Sequence, residues 1–349
     1  MKVYKKLFNK ICDLENLFLA WEEFKVGKGR KPDVLKFEEG LEPNIFQLQR
    51  DLANKRYKHG PYADFYIYDP KRRHIHKATV RDRVLHHGIY NILNPVFEPT
   101  FISRSFSCRI GKGNIKGIIA VESIIRKISR NYTRHCYILK CDVRKFFDSI
   151  DHSILKEILK RKIKDVETMW LLDEVIESFA GSQSNLFNRK GVPIGNLTSQ
   201  LFANTYMNEF DQFMKKDLKV EHYARYTDDF VVISGDREYL VKLIGSIQEF
   251  LKEKLQLGLH PDKVEIFRCN QGIDFLGYIM FPYHKLVRKR TVKRMFRKLK
   301  ETAGKFQKGL ISEEKAKASL NSYLGILSHA NAKKLSENLV NKFWFWLNG

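Results

Sequence analysis

Two adjacent aspartates, Asp228 and Asp229, lie between apolar and aromatic residues in the stretch Ala224–Ser234. The pattern predicts a tight β-hairpin with both carboxylates at its tip. Two neighbouring carboxylates repel each other, and the run Phe230–Ile233 that follows them should be buried in a sheet, so ionised side chains here require a compensating cation. A divalent metal ion is the natural candidate, although an isolated acidic pair at a hairpin tip is more often a solvated turn.

A second acidic strand is predicted upstream. The segment Tyr137–Val143 has the composition of a strand and carries Asp142 near its end. If the two strands are neighbours, Asp142 faces Asp228, and three carboxylates can hold two magnesium ions about 3.5–4 Å apart. Such a pair would activate the 3′-hydroxyl of a primer and stabilise leaving pyrophosphate. Magnesium suits the site because it prefers a few carboxylates together with substrate phosphates.

The elements that must position these acids follow from hydrophobic periodicity. Apolar residues recur at helical spacing in residues 1–60 and again in Arg81–Phe97. Between them, the alternating residues Asp64–Tyr68 precede a basic turn at 69–73, which predicts a hairpin. The basic, glycine-broken loop Lys25–Pro32 is either a solvated connector or a contact for a nucleic-acid backbone.

Further helices and one strand are predicted beyond these. Residues 165–188 should continue helically into a turn, and the other expected segments are the helices Ile118–Ile128, Ser153–Ile163, Leu201–Asn208 and Glu238–Leu255 and the strand Ile273–Ile279.

Two basic segments could contact nucleic acid. The loop Arg104–Asn114 lacks the ending of a phosphate-binding P-loop, but its glycines and the cations Arg109 and Lys112 could hold a nucleic-acid backbone. From Lys285 to Lys308 the chain has eleven Lys and Arg residues against one acid, which predicts a basic helix on a small C-terminal helical domain. The candidate contacts in this helix are Arg288, Lys289, Arg290, Lys293, Arg294 and Arg297.

Composition supports a nucleic-acid partner. The chain has 349 residues, of which 43% are hydrophobic, so it can build a globular core. Lys and Arg outnumber Asp and Glu by 63 to 40, and a formal charge of +23 favours a polyanionic partner over a basic surface without one.

The cysteines and the N-terminus bear on the cellular compartment. Five cysteines without Cys-x-x-Cys spacing predict reduced thiols in a cytoplasmic protein, and the spacing of Cys136, Cys141 and His135 fits no familiar zinc site. We expect no signal peptide, membrane span or membrane partner.

An ordered set of short motifs resembles a known family, the reverse transcriptases of the group II intron-like bacterial class. The resemblance covers about residues 60 to 283, and the motifs are Pro70-Lys71 with Arg73, Thr79–Arg83, Arg109–Gly113, Asp142 with Phe146-Phe147, Pro193–Gln200, Tyr226–Asp229, Lys263 and Phe275–Gly277.

The resemblance implies an α+β right-hand polymerase with fingers, an antiparallel palm sheet and a helical thumb. The implied activity is RNA-directed DNA synthesis from deoxynucleoside triphosphates, with the template RNA and the RNA–cDNA duplex as bound partners. The implied segments are 1–135 for an N-terminal extension and fingers, 136–165 and 196–283 for the two parts of the palm, 166–195 for an insertion between fingers and palm, and 284–349 for the thumb.

The resemblance also implies individual roles. Asp142, Asp228 and Asp229 correspond to the metal-binding carboxylates, and Lys263 to the lysine proposed to protonate pyrophosphate. Lys71 and Arg73 correspond to cations that hold the incoming triphosphate, a role that their charge and position in a turn also fit. Phe147 corresponds to the ring that excludes a ribose 2′-hydroxyl, with a plain core phenylalanine as the alternative. The segment Phe275, Leu276 and Gly277 corresponds to the primer grip.

Two departures narrow the subfamily. Most relatives have glutamine where Ile194 stands before Gly195, and proline where Gln200 stands, and the form found here resembles reverse transcriptases of diversity-generating retroelements. Isoleucine cannot hydrogen-bond to the nucleotide, so rejection of wrong base pairs should relax. The resemblance then implies error-prone copying of a template-repeat RNA and a small basic accessory protein as partner.

Other assignments stay open. A retron or phage-defence reverse transcriptase could share this core, and a non-catalytic RNA-binding scaffold could keep the fold. A DNA-templated or template-independent polymerase is a further alternative. A group II intron maturase is less favoured, because we expect only one thumb-sized helical segment after the polymerase core, which leaves no room for DNA-binding or endonuclease domains.

Overall fold

The structure is a computed structural model and describes residues 2–69, 72–184 and 188–348. It confirms that helices and sheets are mixed along the chain. The helices are α1 (Leu7–Cys12), α2 (Leu14–Lys25), α3 (Pro32–Glu38), α4 (Leu41–Ala53), α5 (Val80–Phe97), α6 (Asn114–Ile128), α7 (Phe146–Ser149), α8 (His152–Lys162), α9 (Val166–Glu177), α10 (Leu197–Gln212), α11 (Arg237–Leu255), α12 (Lys289–Gln307), α13 (Glu313–Leu327) and α14 (Lys333–Asn348).

The strands form three separate sheets. The strands are β1 (Ala63–Ile67), β2 (Arg73–Lys77), β3 (Tyr137–Asp142), β4 (Tyr223–Tyr226), β5 (Asp229–Ser234), β6 (Glu265–Arg268), β7 (Ile273–Phe275), β8 (Tyr278–Met280) and β9 (Lys285–Val287). β1 and β2 form an antiparallel hairpin, β7, β8 and β9 form an antiparallel meander, and the central sheet has the order β4-β5-β3-β6.

The chain divides into two compact units. Unit 1 comprises Met1–Gly111, Cys141–Phe230 and Leu243–Val264. Unit 2 comprises Lys112–Lys140, Val231–Lys242 and Glu265–Gly349. Each unit is therefore assembled from segments that are distant in sequence.

Unit 1 is built around α5, which packs against α2 and α10. Its apolar face is fully buried, with Val84, Leu85 and Ile89 at 0% exposure. The helix begins at the N-cap Thr79, whose side chain accepts a hydrogen bond from the backbone N–H of Asp82. The buried Asp82 carboxylate in turn accepts from the Tyr57 hydroxyl at 2.8 Å, so a charged side chain is satisfied inside the core.

The central sheet buries the run that was predicted to be buried. Phe230, Val231 and Val232 in β5 are 0% exposed, and Ile233 is 2% exposed. Burial of consecutive residues means that both faces of β5 are covered, which explains why the strand is a continuous apolar run and does not alternate. The polar residues of β5 are thereby confined to its two ends.

Unit 2 ends in three helices, α12, α13 and α14, that contact one another. α12 buries Met295, Leu299 and Ala303 against them, while α14 buries Leu339 and Phe343. The spacing of four residues between these side chains gives a narrow apolar stripe along α12, and most of its cations lie outside that stripe.

Two predicted elements differ from the structure, and one strand was not predicted. Ile273–Ile279 was predicted as one strand, but it is a hairpin that turns at Leu276 and Gly277, whose φ angles are 50° and 94°. The basic helix was predicted from Lys285, but it begins at Lys289 because the residues before it pair with β8 as strand β9. β6 was not predicted; it has only four residues and pairs with the first part of β3.

All five cysteines are free thiols; Cys108 is exposed and the others are buried. Within the described residues, no helix combines the length and the apolar character needed to cross a bilayer.

Candidate active site

The carboxylates predicted to act together lie at the meeting ends of two neighbouring strands. β3 ends at Asp142 and β5 begins at Asp229, and the two strands are adjacent in the sheet. The backbone N–H of Val143 donates to the carbonyl of Asp228 at 3.1 Å. The backbone on either side of this bond therefore carries all three aspartates, and each of them is partly exposed to solvent.

A strained turn presents Asp228. Thr227 has a φ of 57°, in the left-handed region that β-branched residues rarely adopt. Its side-chain hydroxyl lies 2.5 Å from the hydroxyl of Ser107, and the carbonyl of Ser107 accepts from the side-chain amide of Asn204 at 2.9 Å. A strained backbone conformation of this kind persists only where neighbouring residues stabilise it, so contacts with other segments must hold this turn in place.

A buried ion pair supplies most of that support. Arg225 and Asp211 are both 0% exposed and are joined by two hydrogen bonds, from Nε at 2.8 Å and from Nη2 at 2.6 Å. The guanidinium also donates to the carbonyl of Thr227 at 2.9 Å and to the hydroxyl of Ser105 at 3.1 Å. The Tyr223 hydroxyl donates to the Asp211 carboxylate at 2.8 Å. The network ties the turn to α10 and to the loop before α6.

The electrostatics of this network fix its protonation. Burial raises the pKa of Tyr223 well above its ordinary value, and the neighbouring Asp211 carboxylate raises it further. Burial alone would lower the pKa of Arg225, but the attraction of Asp211 outweighs it and raises that pKa. Tyr223 therefore stays a neutral hydrogen-bond donor and Arg225 stays a cation.

Lys263 lies beside the first carboxylate. Its Nζ is 2.9 Å from Oδ1 of Asp142. The contact is set by the backbone, because the N–H of His260 donates to the Asp142 carbonyl at 2.8 Å and Val143 bridges Leu259 in antiparallel fashion. The side chains of the pair are 40% and 20% exposed, so this cation can leave Asp142 without breaking the core.

These residues fit magnesium by donor type. In the described part of the chain, no three His, Cys, Asp or Glu side chains converge into a ready-made metal site. Magnesium does not require such a cage, because it is usually held by one or two carboxylates together with water and substrate phosphates. The ammonium of Lys263 against Asp142 indicates that a cation is accommodated at this carboxylate. Asp142, Asp228 and Asp229 would be the ligands.

Phe147 is half-buried in the short helix α7, and its ring lies 5.4 Å from that of Phe146. Its carbonyl accepts from the N–H of Val192 at 2.8 Å. The neighbouring Gly191 has a φ of 101°, and a Cβ there would come within 2.9 Å of the Cα of Gly181. A side chain at 191 would therefore push apart the backbone segments that support Phe147.

Replacement of that glycine tests the support. Gly191→Ala is expected to lower the free energy of unfolding by about 2–3 kcal/mol, because it combines a left-handed φ with backbone overlap. Gly245→Ala is the matched control, because Gly245 lies within α11 with nothing within 4 Å of an added Cβ. The control should raise stability by about 0.5–1 kcal/mol. Chemical denaturation measures both, and equal effects would contradict the close approach.

Three of the residues predicted to contact the nucleotide, Arg73, Ile194 and Gly195, lie in or beside the β1–β2 hairpin. The N–H of His76 in β2 donates to the carbonyl of Ile194 at 3.3 Å. Gly195 has a φ of 118°, and a Cβ there would lie 3.2 Å from Ile75. Arg73 is exposed at the start of β2, opposite Ile67 in the register. Lys71 lies outside the described residues.

A cavity of about 190 Å³ lies beside the Ile194–Gln200 block. Lys28 and Arg83 line it, together with Asn196, whose buried amide has no hydrogen-bond partner among the described residues. Burial lowers the pKa of Lys28, and the nearby cations Arg83 and Lys31 lower it further. Arg83 is paired with Asp33 at 2.6 Å, so the nucleic-acid contact of the loop that carries Lys28 stays a prediction beside the solvated connector.

Arg109 is placed differently from the prediction. Its side chain is only 6% exposed and pairs with Glu98 through Nε at 2.9 Å and Nη2 at 2.8 Å. Nη1 donates to the carbonyls of Ile102 and Ser105 at 2.6 and 2.8 Å. These bonds use the guanidinium to fix its own loop, so the geometry argues against a nucleic-acid contact by Arg109. The prediction for this loop now depends on Lys112, which belongs to unit 2.

The remaining predicted residues belong to unit 2. Phe275 is fully buried, whereas Leu276 and Gly277 form the turn between β7 and β8. The N–H of Arg288 donates to the Gly277 carbonyl at 3.0 Å, and its guanidinium pairs with Asp274. Arg288 therefore supports this turn. Among the other predicted contacts in α12, Lys289, Arg290, Lys293 and Arg297 are exposed, and Arg294 is half-buried.

The family comparison covers more than half of the chain. Residues 64–280 match the family described as "Reverse transcriptase (RNA-dependent DNA polymerase)". The matched range includes every predicted site residue of unit 1 and the Phe275–Gly277 turn.

Individual relatives are distant. Protein YkfC of Escherichia coli (strain K12) is 26% identical over 280 residues, covering 70% of this chain and 71% of that protein. Group II intron-encoded protein LtrA of Lactococcus lactis subsp. cremoris is 22% identical over 348 residues, covering 79% of this chain and 57% of LtrA. The Putative COX1/OXI3 intron 2 protein of Saccharomyces cerevisiae is 21% identical, covering 78% of this chain and 38% of that protein. The chain thus spans only part of the length of its intron-encoded relatives.

Proposed function

Because the chain belongs to the reverse transcriptase family, the RNA-dependent DNA polymerases, we propose that it synthesises DNA on an RNA template at Asp142, Asp228 and Asp229. The observation that carries the proposal is the backbone hydrogen bond from Val143 to Asp228, which joins the two acidic strand ends. The formal charge of +23 supports a nucleic-acid substrate.

The proposed architecture is that of a right hand. Residues 1–135 would form an N-terminal extension and fingers, 136–165 and 196–283 the palm, 166–195 an insertion between them, and 284–349 the thumb. The central sheet supports the palm assignment, because its adjacent strands β3 and β5 carry the acids. The packed helices α12, α13 and α14 support the thumb assignment.

In the proposed reaction, the 3′-hydroxyl of a primer attacks the α-phosphate of a deoxynucleoside triphosphate, a new phosphodiester bond forms, and pyrophosphate leaves. When bound by the three aspartates, two magnesium ions would lower the pKa of the hydroxyl and neutralise charge on the phosphates. The Arg225–Asp211 pair would hold the turn that presents Asp228 and Asp229, so their positions need no rearrangement during the reaction.

Other side chains of the site would bind and select the substrate. Lys263 would carry a proton on Nζ for the departing pyrophosphate, released from Asp142 as the substrate binds. Arg73 and Lys71 would neutralise the triphosphate. The ring of Phe147 would exclude a ribose 2′-hydroxyl, and the hydrogen bond from the N–H of Val192 that fixes its carbonyl supports this role.

We further propose error-prone synthesis in a diversity-generating retroelement, with a template-repeat RNA and a small basic accessory protein as partners. Ile194 and Gln200, which stand where most relatives have glutamine and proline, support this proposal. The backbone bond from His76 to the Ile194 carbonyl, which holds this segment beside β2, is compatible with it. An apolar side chain makes no hydrogen bond that a mismatch would leave unpaired.

The substitution Ile194→Gln tests the fidelity proposal. The wild type should make error-rich DNA, with errors concentrated opposite template adenine. The variant should lower the error rate about two- to tenfold, because one added hydrogen bond contributes about 0.5–1.5 kcal/mol. Sequencing the products from one primed RNA measures this, and Ile194→Leu is the matched control. Equal error rates for all three proteins would reject the fidelity role and favour a retron or defence function.

A second candidate function is that of a group II intron reverse transcriptase. The similarity to LtrA, a group II intron-encoded protein that aligns with 79% of this chain, favours it. Accurate synthesis by the wild type together with specific binding of an intron RNA would support this candidate over the retroelement.

The activity itself is tested by magnesium-dependent incorporation of deoxynucleotides. A primed RNA, a primed DNA and a primer without template are compared with the purified chain. If the chain is an RNA-directed polymerase, it should extend the primer on RNA and should not extend the primer that has no template. RNA binding without synthesis on any of them, even with the native RNA and accessory protein, would favour a non-catalytic scaffold.

A further inference from the structure

A second candidate site lies in unit 2 and is lined by residues other than those assigned above. It is a cavity of about 250 Å³, here called the tyrosine pocket, lined by Tyr132, Arg134, His135, Arg268, Asn270 and Tyr283 among others. These residues come from the turn after α6, from the end of β6 and from the turn between β8 and β9. None of them belongs to the motifs that carry the proposed chemistry.

The charge of the tyrosine pocket has one sign. Arg134 and Arg268 are exposed, and no aspartate or glutamate lines the cavity. Within the described residues, neither arginine has an acidic side chain at ion-pair distance, in contrast to Arg109 or Arg288. Cations grouped without acids raise the local concentration of anions, so the pocket favours a phosphate-bearing ligand.

Two aromatic rings form the walls. The rings of Tyr132 and Tyr283 meet edge to face with their centroids 5.3 Å apart. Tyr283 is 80% exposed, which is unusual for so large an apolar surface. Aromatic faces among arginines are the combination on which unpaired bases stack.

The wall that carries Tyr132 is preorganised. Arg130, Asn131 and Tyr132 have φ angles of 47°, 55° and 68°, three consecutive residues in the left-handed region. The N–H of Tyr132 donates to the Ser129 hydroxyl at 2.8 Å, and the N–H of Arg134 donates to the Ser129 carbonyl at 2.8 Å. Strain that is held by hydrogen bonds in this way is a recurrent feature of ligand sites.

We propose that the tyrosine pocket binds an unpaired nucleotide of single-stranded RNA. Single-stranded RNA is favoured over a duplex because paired bases are stacked inside their helix and cannot stack on the exposed ring of Tyr283. RNA is favoured over a protein segment because the lining offers cations and rings with no acidic group. The site would hold RNA that flanks the copied region, and it acts independently of the polymerase activity.

Comparing the affinity for two nucleic acids distinguishes binding at the tyrosine pocket from binding by the rest of the basic surface. One is a blunt RNA–DNA duplex, and the other is the same duplex with a single-stranded RNA extension. The extension should tighten binding to the wild type, as measured by fluorescence anisotropy. Tyr283→Ala should weaken binding of the extended duplex roughly five- to hundredfold, the range of one lost stacked base, and leave the blunt duplex unchanged.

Charge is tested separately. The variant Arg134→Gln with Arg268→Gln should lower the slope of log affinity against log salt by about 0.7 for each lost phosphate contact. Lys333→Gln with Lys334→Gln is the matched control, because it removes two exposed charges from α14 in the same unit. Photocrosslinking of a bromouridine in the extension should label Tyr132 or Tyr283.

Three results would overturn the proposal. The first is an unchanged preference for the extended duplex in both pocket variants. The second is an equal loss in the lysine control, which would assign the preference to net charge. The third is full displacement of the extension by a free mononucleotide, which would assign the pocket to a small molecule. All arms measure binding, so the result holds whether or not the chain synthesises DNA.

Discussion

The variant carrying Asp228→Asn and Asp229→Asn is expected to lose DNA synthesis by about a thousandfold or more and to keep its affinity for RNA. The substitution preserves the shape of the turn but removes the charge that would hold magnesium. A bound metal supplies several kcal/mol of transition-state stabilisation, and each 1.36 kcal/mol corresponds to a tenfold change in rate. RNA affinity comes from the basic surface, which the variant leaves in place.

Single-turnover incorporation and RNA binding by anisotropy measure the two quantities on the same preparation. Asp262→Asn is the matched control, because its side chain is 88% exposed and lies next in sequence to Lys263. The control should retain synthesis within about twofold, as expected for a surface change that alters stability by less than about 0.5 kcal/mol. If the double variant loses RNA binding and synthesis together, the acids serve the fold and the proposed chemistry is wrong.

Arg225→Met is expected to lower the free energy of unfolding by about 3–5 kcal/mol, because it leaves the buried Asp211 carboxylate without its cation. Asp211→Leu combined with Arg225→Met should recover most of that loss, since no buried charge is left unpaired. Synthesis should remain low in the double variant, because the Thr227 carbonyl has lost the guanidinium that holds the turn.

The informative result is a double variant that recovers its stability but not its DNA synthesis. Chemical denaturation measures stability, and the dependence of the single-turnover rate on magnesium concentration measures activity. Arg161→Met is the matched control, because its pair with Glu209 is solvent-exposed and contributes less than about 1 kcal/mol. Full recovery of both stability and synthesis in the double variant would show that the pair only packs the core and does not position the turn.

The acidic strand ends could be predicted from the sequence, whereas their support could not. Asp142 and Asp228 follow or interrupt apolar runs, which is a local signal of strand ends. Arg225 and Asp211 are 14 positions apart on different elements, and no local period links them. The available signal was partial: Arg225 is a charged residue between apolar and aromatic neighbours, and a charge in such a position requires a buried partner. Asp211 has Glu209 and Gln212 beside it, so its own surroundings do not distinguish it from a surface residue.

The differences in the fold have a similar origin. Leu276 occupies a left-handed turn that leucine disfavours, so the residues around it have the composition of one continuous strand. The turn is stabilised by the backbone bond from Arg288, which is distant in sequence. β6 has only four residues and is strand-like because it pairs with β3, so its composition alone gives little indication of it. Tertiary hydrogen bonds decided both cases.

The five thiols should differ in their reactivity towards electrophiles. Burial raises the pKa of Cys12, Cys136 and Cys141 to about 12, so these thiols are protonated and inert at neutral pH. Cys108 is exposed and follows Ser107, whose hydroxyl contacts Thr227. An electrophilic dye would therefore attach at Cys108 first. A fluorescent dye attached to Cys108 of the native chain would thus lie one residue from the Ser107–Thr227 contact that holds the acidic turn.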